Sequence, residues 1–308
     1  MSVAFHGAEF CWMNGEIVET KNALVSAMEP IHLGIFEGIK AYVKNDVNSS
    51  GRLSVFQWKP HVDRLRRSAG VSGMEIPYTN EELLEAIRKT IRTNGFSTNV
   101  YIQPRIWPKA EAPKEVHVVI PIWTFETILG KDNPRFAKNR KFMISTWRRI
   151  ASDALPPQVK SWANYGNSAY AMREAERLGY DGAIFLDNRG FVSEGTGACI
   201  MSVRNGKVMT PPVTASILES VTRETLLDII PRDLGIPVEV KDIARVELYA
   251  SDEAFLCGTG WEITPITSID GLPLGKEYPG PITRRIAAYY ADVLAGKVEK
   301  YKECLTLT

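Results

Sequence analysis

The clearest pattern of apolar and polar positions in the first half of the chain follows Thr79. Thr79 and Glu82 form a capping-box sequence, apolar residues then recur at helical spacing, and Gly95 is a stop signal. This pattern predicts an amphipathic helix that ends at Gly95. An Arg- and Leu-rich stretch at 61–69 predicts a second, shorter helix, which ends at Gly70.

Apolar runs and period-two alternation predict the strands of the first half. Alternation at 52–57 predicts a half-buried strand, and the runs 100–107 and 116–123 each predict one strand more. Pro104 lies inside the run 100–107. Because proline cannot donate a hydrogen bond to a neighbouring strand, it favours an edge or a bulge at that position.

The pattern fails at 126–140, where the sequence is polar and turn-rich. We predict a linker there, between an N-terminal α+β domain at 1–125 and a C-terminal α+β domain at 141–308. The elements predicted after the linker are strands at 142–146, 199–203 and 254–257, a hairpin at 182–194 that turns at 188–190, and helices at 167–178, 222–230 and 281–294. Since strands and helices do not alternate in a steady β-α-β order, the predicted fold class is α+β, with mixed sheets and flanking helices, rather than a doubly wound sheet.

The composition narrows the class of protein. A length of 308 residues suits two domains, and a net charge of +1 gives no indication of nucleic acid or an anionic membrane as a partner. The first ten residues carry no basic cluster or apolar run, so we expect no signal peptide. The cysteines and histidines are scattered and lack the spacing of metal ligands. We therefore expect a cytoplasmic protein without a metal centre.

Four segments carry the chemistry, and their order matters more than any one of them. P-P-Q-V-K-S-W-A-N-Y contains Lys160, S-E-G-T-G contains Glu194, V-T-R-E-T contains Thr222, and C-G-T-G-W-E-I-T-P contains Thr259. A lysine in a rigid aromatic segment can hold an aldehyde as a Schiff base. An acid in a glycine-rich turn can face a ring nitrogen, and the two threonine-bearing turns can hold a phosphate. Together these functions predict a pyridoxal-phosphate enzyme.

Each of these residues also fits an ordinary structural role. Lys160 could be a solvated loop lysine and Glu194 an exposed turn carboxylate. Thr222 and Thr259 could be plain N-caps. Arg64, in H-V-D-R-L, could pair with the phosphate through two hydrogen bonds, or it could be an arginine on a helix surface. The pyridoxal-phosphate hypothesis therefore depends on the spacing of all the segments, which matches neither a dinucleotide fingerprint nor a Walker motif.

These segments resemble the class IV (fold type IV) pyridoxal-phosphate aminotransferases, and most closely the branched-chain amino acid aminotransferases. The resemblance covers about 12–285 and includes W-M-N-G-E, I-F-E-G-I-K-A-Y and H-V-D-R-L. It implies a two-domain fold type IV enzyme that depends on pyridoxal 5'-phosphate. It also implies ping-pong transfer of an amino group between a branched-chain or other apolar amino acid and a 2-oxo acid. The family further implies a homodimer or a larger homo-oligomer.

The resemblance implies a role for each matching residue. Lys160 resembles the Schiff-base lysine and proton carrier. The residues implied to bind the cofactor are Tyr165 at the phenolic oxygen, Glu194 at the ring nitrogen, and Arg64, Val221, Thr222 and Thr259 at the phosphate. For the substrate, the resemblance implies that Tyr101 and the turn amides of Thr259 and Gly260 bind the α-carboxylate. It also implies that Phe36 and Trp123 form walls of the side-chain pocket.

The sequence departs from the family at Gln103, where branched-chain enzymes of bacterial type usually carry an arginine that holds the distal carboxylate of glutamate. Arg105 follows two residues later, on the expected same side of a strand, and could substitute for it. Unless Arg105 reaches the substrate, we expect weak use of glutamate, because an unpaired carboxylate in a closed site is costly.

Three related activities share the cofactor motifs. The first is (R)-selective amine transamination, either alone or together with amino acid transamination. The second is D-amino acid transamination, and the third is the aminodeoxychorismate lyase reaction. Tyr101 and the segment E-G-I-K-A-Y favour the branched-chain group over the amine group. An (R)-amine transaminase or a dual-activity enzyme is the first alternative, and a lyase is the less favoured one.

Overall fold

The computed structural model describes residues 8–44, 52–124 and 140–308. The chain forms two compact units. One takes in Met1–Lys131, Val159–Ala163 and Ala291–Thr308, and the other takes in Asp132–Gln158 and Asn164–Tyr290. Apart from Arg140, the linker predicted at 126–140 lies outside the described residues, so the predicted domain boundary stays a prediction.

The first unit contains two five-stranded sheets, ordered β2-β1-β8-β7-β3 and β20-β5-β4-β6-β9. Its described strands are β1 (Phe10–Met13), β2 (Glu16–Glu19), β3 (Ile35–Phe36), β4 (Ile39–Val43), β5 (Leu53–Phe56), β6 (Val100–Ile102), β7 (Arg105–Pro108), β8 (Val116–Ile120), β9 (Ile122–Thr124) and β20 (Leu305–Leu307). Its described helices are α1 (Trp58–Val71) and α2 (Asn80–Asn94). The strand predicted at 52–57 is confirmed as β5.

Among the described residues, three chain segments pass from one of these sheets to the other, at Glu37, Pro104 and Pro121. The crossings are bonded to one another, since Glu37 N–H donates to Pro104 O at 2.9 Å. The single strands predicted at 100–107 and 116–123 are therefore wrong, because each run contains two strands that belong to different sheets. Proline has no N–H to donate to a neighbouring strand, so strand pairing stops at each proline. The strands before and after it are nevertheless both largely buried.

The helix predicted after Thr79 is confirmed as α2. Its capping box is complete: Glu82 N–H donates to Thr79 Oγ1 at 3.2 Å, and Thr79 N–H donates to Glu82 Oε2 at 2.7 Å. Gly95 ends the helix in the left-handed conformation, with φ 63°. Helix α1 is longer than the predicted 61–69. The two helices share one core with the strands, to which they contribute Val62, Leu65, Leu83, Ala86 and Ile87.

The second unit also contains two five-stranded sheets, ordered β12-β11-β10-β18-β19 and β15-β14-β13-β16-β17. Its described strands are β10 (Lys141–Arg148), β11 (Gly182–Leu186), β12 (Val192–Gly195), β13 (Cys199–Arg204), β14 (Lys207–Thr210), β15 (Val238–Val240), β16 (Glu253–Gly258), β17 (Glu262–Ile266), β18 (Ser268–Ile269) and β19 (Leu272–Pro273). The remaining described helices are α3 (Trp162–Arg177), α4 (Val221–Leu234), α5 (Arg245–Tyr249) and α6 (Pro281–Leu294).

The elements predicted for the second half are confirmed with small shifts in their bounds. The hairpin at 182–194 is the antiparallel pair β11 and β12, and β13 pairs antiparallel with β16. The helix predicted at 167–178 begins earlier, at Trp162, and the helix at 281–294 has the predicted bounds. Both parallel and antiparallel pairs occur in this unit, as the predicted α+β class with mixed sheets requires.

No helix within the described ranges is long and apolar enough to cross a membrane.

Candidate active site

Lys160 lies in a short extended segment of the first unit. Ser161 forms an antiparallel bridge with Ile35, and Phe36 N–H donates to the Lys160 carbonyl at 2.9 Å. The Lys160 N–H donates to Ser68 Oγ of α1 at 3.2 Å. Strand β3 and helix α1 thus fix the lysine backbone. The residue is only 8% exposed, so Lys160 is not a solvated loop lysine.

The Lys160 amine lies against an aromatic ring. Its Nζ lies 4.7 Å from the centroid of the Phe36 ring. Phe36 in turn stacks on Trp162, with centroids 4.4 Å apart and an interplanar angle of 23°. The backbone N–H of Trp162 donates to Gly34 O at 3.0 Å and fixes the position of the residue. The predicted aromatic neighbourhood of the lysine is therefore present and includes Phe36, which lies far from it in sequence.

A buried charged cluster lies at the first of the sheet crossings. Glu37 has no exposed surface, and its Oε2 accepts from Arg64 Nε at 2.9 Å. The Oε1 atom of Glu37 accepts from Arg64 Nη2, from His61 Nδ1 at 3.1 Å and from Gly38 N–H at 2.8 Å. Arg64 is therefore not a surface helix arginine, because its guanidinium is bound to a fully buried carboxylate.

The protonation of this cluster follows from its burial and its charges. Burial alone would raise the pKa of Glu37, but the charge of Arg64 and the hydrogen bonds from His61 and Arg64 outweigh it and hold that pKa well below its usual range. Burial lowers the pKa of His61 against the attraction of Glu37, and the positive charges of Arg64 and Lys160 lower it further. Glu37 is therefore ionised, and a neutral His61 donates its Nδ1–H to it.

Tyr101 lies against the backbone at the same crossing. A Cβ atom added to Gly38 would come within 2.1 Å of the Tyr101 hydroxyl, so only glycine leaves room for the ring. Tyr101 pairs across the ladder with Trp123, and their ring centroids are 5.7 Å apart. The structure thus brings Tyr101 and Trp123 together within the first unit.

Arg105 and Gln103 lie on opposite sides of the second crossing. The prediction that they share one strand is wrong, because pairing breaks at Pro104 and Arg105 begins β7. Their side chains nevertheless meet, since Arg105 Nε donates to Gln103 Oε1 at 2.9 Å. The Arg105 guanidinium lies over two indole rings, 5.6 Å from the centroid of Trp123 and 5.4 Å from that of Trp162.

Glu194 lies in β12 of the second unit and is only 5% exposed, so it is not a solvated turn carboxylate. Its Oε1 forms an ion pair with Arg149 Nε at 2.9 Å, and its Oε2 accepts from Leu218 N–H at 3.2 Å. Arg149 directly follows β10, and its N–H donates to Leu186 O of β11 at 2.9 Å. The sheet thus fixes both members of the ion pair.

The glycine-rich turns of the second unit contact each other. The turn after β12 passes within van der Waals reach of the turn between β16 and β17. A Cβ on Gly258 would lie 3.4 Å from Ala198 Cβ, and a Cβ on Gly197 would lie 3.4 Å from Trp261 Nε1. Thr259 and Gly260 belong to this second turn, where Trp261 N–H donates to Gly258 O at 3.0 Å. Two of the predicted cofactor segments therefore meet.

The third cofactor segment of this unit begins a helix, as predicted. Ser220 is the N-cap of α4, and its side chain accepts from Arg223 N–H at 3.2 Å. Val221 and Thr222 occupy the first turn, where backbone N–H groups and the helix dipole favour an anion. The Thr222 side chain is buried and hydrogen-bonded to Tyr290, whose pKa is raised by burial. Tyr165 also belongs to this unit, on α3.

A family model described as Amino-transferase class IV matches residues 34–269. The chain belongs to the class IV aminotransferases. The probable branched-chain-amino-acid aminotransferase of Aquifex aeolicus is 35% identical over 97% of this chain and 96% of its own length.

Solved structures agree with this assignment. The branched-chain aminotransferase of Thermoproteus uzoniensis with norvaline has a TM-score of 0.88 at 39% identity, over 98% of this chain and 99% of that one. The holo PLP-form of the Thermobaculum terrenum branched-chain enzyme has a TM-score of 0.88 at 34% identity, over 98% of each chain.

Membership of this family confirms several predictions. The enzyme is a pyridoxal-phosphate-dependent aminotransferase, and its substrates are amino acids and 2-oxo acids. The functional groups in the two units fit pyridoxal phosphate. The first unit holds a buried lysine amine, and the second holds a buried, arginine-paired carboxylate and a capped helix N-terminus beside glycine turns.

The sequence analysis missed three residues that the structure places among these groups. Glu37 and His61 bind Arg64, and Arg149 binds Glu194. One signal was available for Glu37, which is a single charge among apolar residues in the segment I-F-E-G-I. Arg149 follows Arg148 at the end of a strand, and nothing local distinguishes the buried arginine from the exposed one.

Proposed function

We propose that this aminotransferase moves the amino group of a branched-chain or other apolar amino acid to a 2-oxo acid by a ping-pong mechanism. The observation that carries this proposal is Lys160, an amine held almost out of water against the ring of Phe36. The related proteins support the substrate class, since they are named branched-chain aminotransferases and one was solved with norvaline.

The residues of the first unit are proposed to act on the substrate. Lys160 Nζ would take the proton from the substrate α-carbon and return it during transfer, a kind of general acid–base help typically worth ~10²–10⁴-fold. Tyr101, fixed by Gly38, would orient the α-carboxylate. Phe36 and Trp123 would form apolar walls that exclude water from the side-chain pocket, which favours apolar substrates.

A second set of residues is proposed to hold the cofactor. Bound pyridoxal phosphate supplies a ring that takes up electrons when a bond at the α-carbon breaks. Glu194, supported by Arg149, would accept a hydrogen bond from the protonated ring nitrogen and so keep the proton there, and Tyr165 would bind the phenolic oxygen. The residues proposed for the phosphate are Arg64, Val221, Thr222 and Thr259, and the amides of Thr259 and Gly260 would assist Tyr101 at the α-carboxylate.

We also propose that the enzyme is a cytoplasmic homodimer or larger homo-oligomer. Leu24 and Met28 are 78% and 80% exposed and lie four positions apart, and we take them as part of an apolar patch that another chain covers. The four cysteines are free, which fits a reducing compartment. Light scattering of the purified enzyme tests the association, and fractionation of producing cells tests the location.

The proposed activity is tested by half-reactions followed in the visible spectrum. Enzyme loaded with pyridoxal phosphate is mixed separately with L-leucine, with D-leucine and with a simple (R)-amine. We expect the fastest loss of the cofactor's absorbance with L-leucine, and borohydride should fix the cofactor to Lys160. Lys207→Arg, an exposed lysine paired with Glu239, is the control that should change nothing. Reaction with the (R)-amine alone would overturn the proposal.

A further inference from the structure

Helix α1 turns a buried polar face toward the segment that contains Lys160. His61, Arg64 and Ser68 follow one another at spacings of three and four residues, which places them on one side of the helix. All three are buried, and Ser68 Oγ accepts from the backbone N–H of Lys160 at 3.2 Å. Burial lowers the pKa of His61, and the positive charges of Arg64 and Lys160 are close enough to lower it further. One face of α1 therefore carries the arginine proposed for the phosphate and contacts the lysine proposed for the aldehyde.

The guanidinium of Arg64 is held along one edge. Its Nε donates to Glu37 Oε2 at 2.9 Å, and its Nη2 donates to Glu37 Oε1. Because a guanidinium is flat, two bonds to one carboxylate set the plane of the group and the direction in which Nη1 points. The orientation of the Glu37 carboxylate therefore determines the orientation of the whole guanidinium.

His61 in turn fixes the orientation of the Glu37 carboxylate. His61 Nδ1 donates to Glu37 Oε1 at 3.1 Å, and Gly38 N–H donates to the same atom at 2.8 Å. The backbone donor is adjacent to Glu37 in the chain, whereas the imidazole comes from α1, about one turn before Arg64. The carboxylate is thus tied to the same helix that carries the arginine. Since His61 is neutral, it adds no positive charge that would itself attract a phosphate.

We propose that His61 is a positioning residue for the cofactor, which acts through Glu37 to hold the Arg64 guanidinium in the orientation that binds the phosphate. An arginine side chain has many rotamers, and fixing one of them before the phosphate arrives removes an entropic cost of binding. The inference rests on the proposed role of Arg64 at the phosphate. It adds a residue that acts only through Glu37 and Arg64.

The experiment compares pyridoxal phosphate with pyridoxal, which has the same ring and aldehyde but no phosphate. Dissociation constants for both are measured on the full-length, cofactor-free enzyme. The variants are His61→Leu and His61→Phe, which remove the donor, and His61→Asn, whose amide can replace the Nδ1–H. The control is His117→Leu, because His117 Nε2 makes a similar contact in β8, 3.2 Å from Glu29 Oε1. Damage to the fold would weaken the binding of both compounds, whereas misplacement of Arg64 affects only the compound with a phosphate.

We expect His61→Leu and His61→Phe to lower the ratio of the affinity for pyridoxal phosphate to the affinity for pyridoxal by about 10-fold, as for the loss of one hydrogen bond to a charged group. His61→Asn should restore most of the ratio, and His117→Leu should leave it unchanged. An unchanged ratio in both donor-free variants, or equal losses of the two affinities, would overturn the inference.

Arg64→Lys separates this inference from the proposal on which it rests. A lysine keeps a positive charge beside Glu37 but has no plane to orient. Arg64→Lys alone should lower the affinity ratio, and adding His61→Leu should lower it little further. If Arg64→Lys leaves the ratio unchanged, the proposed phosphate role of Arg64 has failed and the inference fails with it. If Arg64→Lys lowers the ratio and the donor-free His61 variants do not, only the inference fails.

The affinity ratio is also independent of the proposed reaction, because its measurement needs no turnover. If the wild-type enzyme does not react with L-leucine, the proposed substrate class has failed. A ratio that falls in His61→Leu and recovers in His61→Asn would still support the positioning role of His61.

Discussion

The two units each bury an arginine–glutamate pair, and the pairs are used in opposite senses. In the first unit, Glu37 is fully enclosed and binds Arg64 and His61, so the group proposed for the cofactor is the arginine. In the second unit, Arg149 supports Glu194, and the group proposed for the cofactor is the carboxylate. The same kind of ion pair can thus offer the cofactor either its positive or its negative member.

All four side chains are buried, so the difference between the pairs lies in where each carboxylate sits in the fold. Glu37 receives hydrogen bonds from the side chains of Arg64 and His61 and from Gly38 N–H, and it lies where the chain changes sheets. Glu194 lies in a strand, and its partners include Arg149 and the Leu218 N–H. We therefore infer that the carboxylate at the sheet crossing serves the fold first, and that the carboxylate beside the glycine-rich turn serves the chemistry first.

Replacing Glu37 with glutamine should therefore give the largest effect, and it should be an effect on stability. The variant leaves the buried Arg64 without its counter-charge, and breaking a buried pair in this way typically costs about 3–5 kcal/mol. The free energy of unfolding in urea at neutral pH measures it. The control is Glu239→Gln, an exposed partner of Lys207, for which about 0–1 kcal/mol is expected. Equal losses in the two variants would contradict the assignment.

Glu194→Gln should instead mainly affect the chemistry. A neutral amide cannot hold the proton on the cofactor's ring nitrogen, so we expect the single-turnover rate with L-leucine to fall about 10²-fold. The affinity for pyridoxal phosphate, titrated on the same samples, should fall much less. Thr222→Ala provides the opposite test, because its proposed partner is the phosphate and cofactor retention should weaken first. A wild-type rate in Glu194→Gln would make that residue purely structural.

Replacing Arg149 should lower the reaction rate less than replacing Glu194, and only through its effect on Glu194. Arg149→Met should lower the single-turnover rate by about 10-fold, because Glu194 loses the positive charge that is paired with it. In the Glu194→Gln background the same change should add almost nothing, which a double-mutant cycle measures. Arg149→Lys should restore part of the rate. Additive losses would show that Arg149 acts on something other than Glu194.

The smallest effect concerns the dependence of stability on pH. The folded-state pKa values of His61 and Glu37 are both lowered, so the unfolded chain binds protons more readily than the folded one. Stability should therefore fall with decreasing pH, for His61 from about 6.5 downward and for Glu37 only below about 4.3. Unfolding curves between pH 5 and 8 should show the loss of stability due to His61 in wild type. That loss should be absent in His61→Gln. A flat wild-type profile would refute the buried neutral histidine.

The sequence predicted most of the elements, because their ends carry local signals. The capping box at Thr79 and the glycine at 95 delimit α2 without help from the rest of the chain. The breaks at Pro104 and Pro121 were harder to predict, because buried isoleucines lie close to each proline on both sides, Ile102 and Ile106 around Pro104 and Ile120 and Ile122 around Pro121. Only the pairing of strands in three dimensions shows that the chain has changed sheets.

For the candidate site, the segments were predictable and the partners were not. Glycine turns and a lysine in an aromatic segment are visible in one dimension. That Arg64 meets Glu37, or that Arg149 rather than Arg148 turns inward to Glu194, depends on which faces the sheets bury. The hydrogen bond between Arg105 and Gln103 forms where the chain changes sheets at Pro104. It could not be predicted from a sequence interpreted as one continuous strand.

The pairing of β20 with β5 has a consequence for how the polypeptide is made. The Thr308 hydroxyl donates to Leu53 O at 2.8 Å across 255 positions, and without β20 the strand β5 would be the edge of its sheet. A ribosome that has released β5 must still produce the whole second unit before β20 emerges. Throughout that interval, the nascent chain presents an open strand edge, which is where misassociation during synthesis begins. We therefore expect the need for protection to be greatest before β20 has emerged and paired with β5.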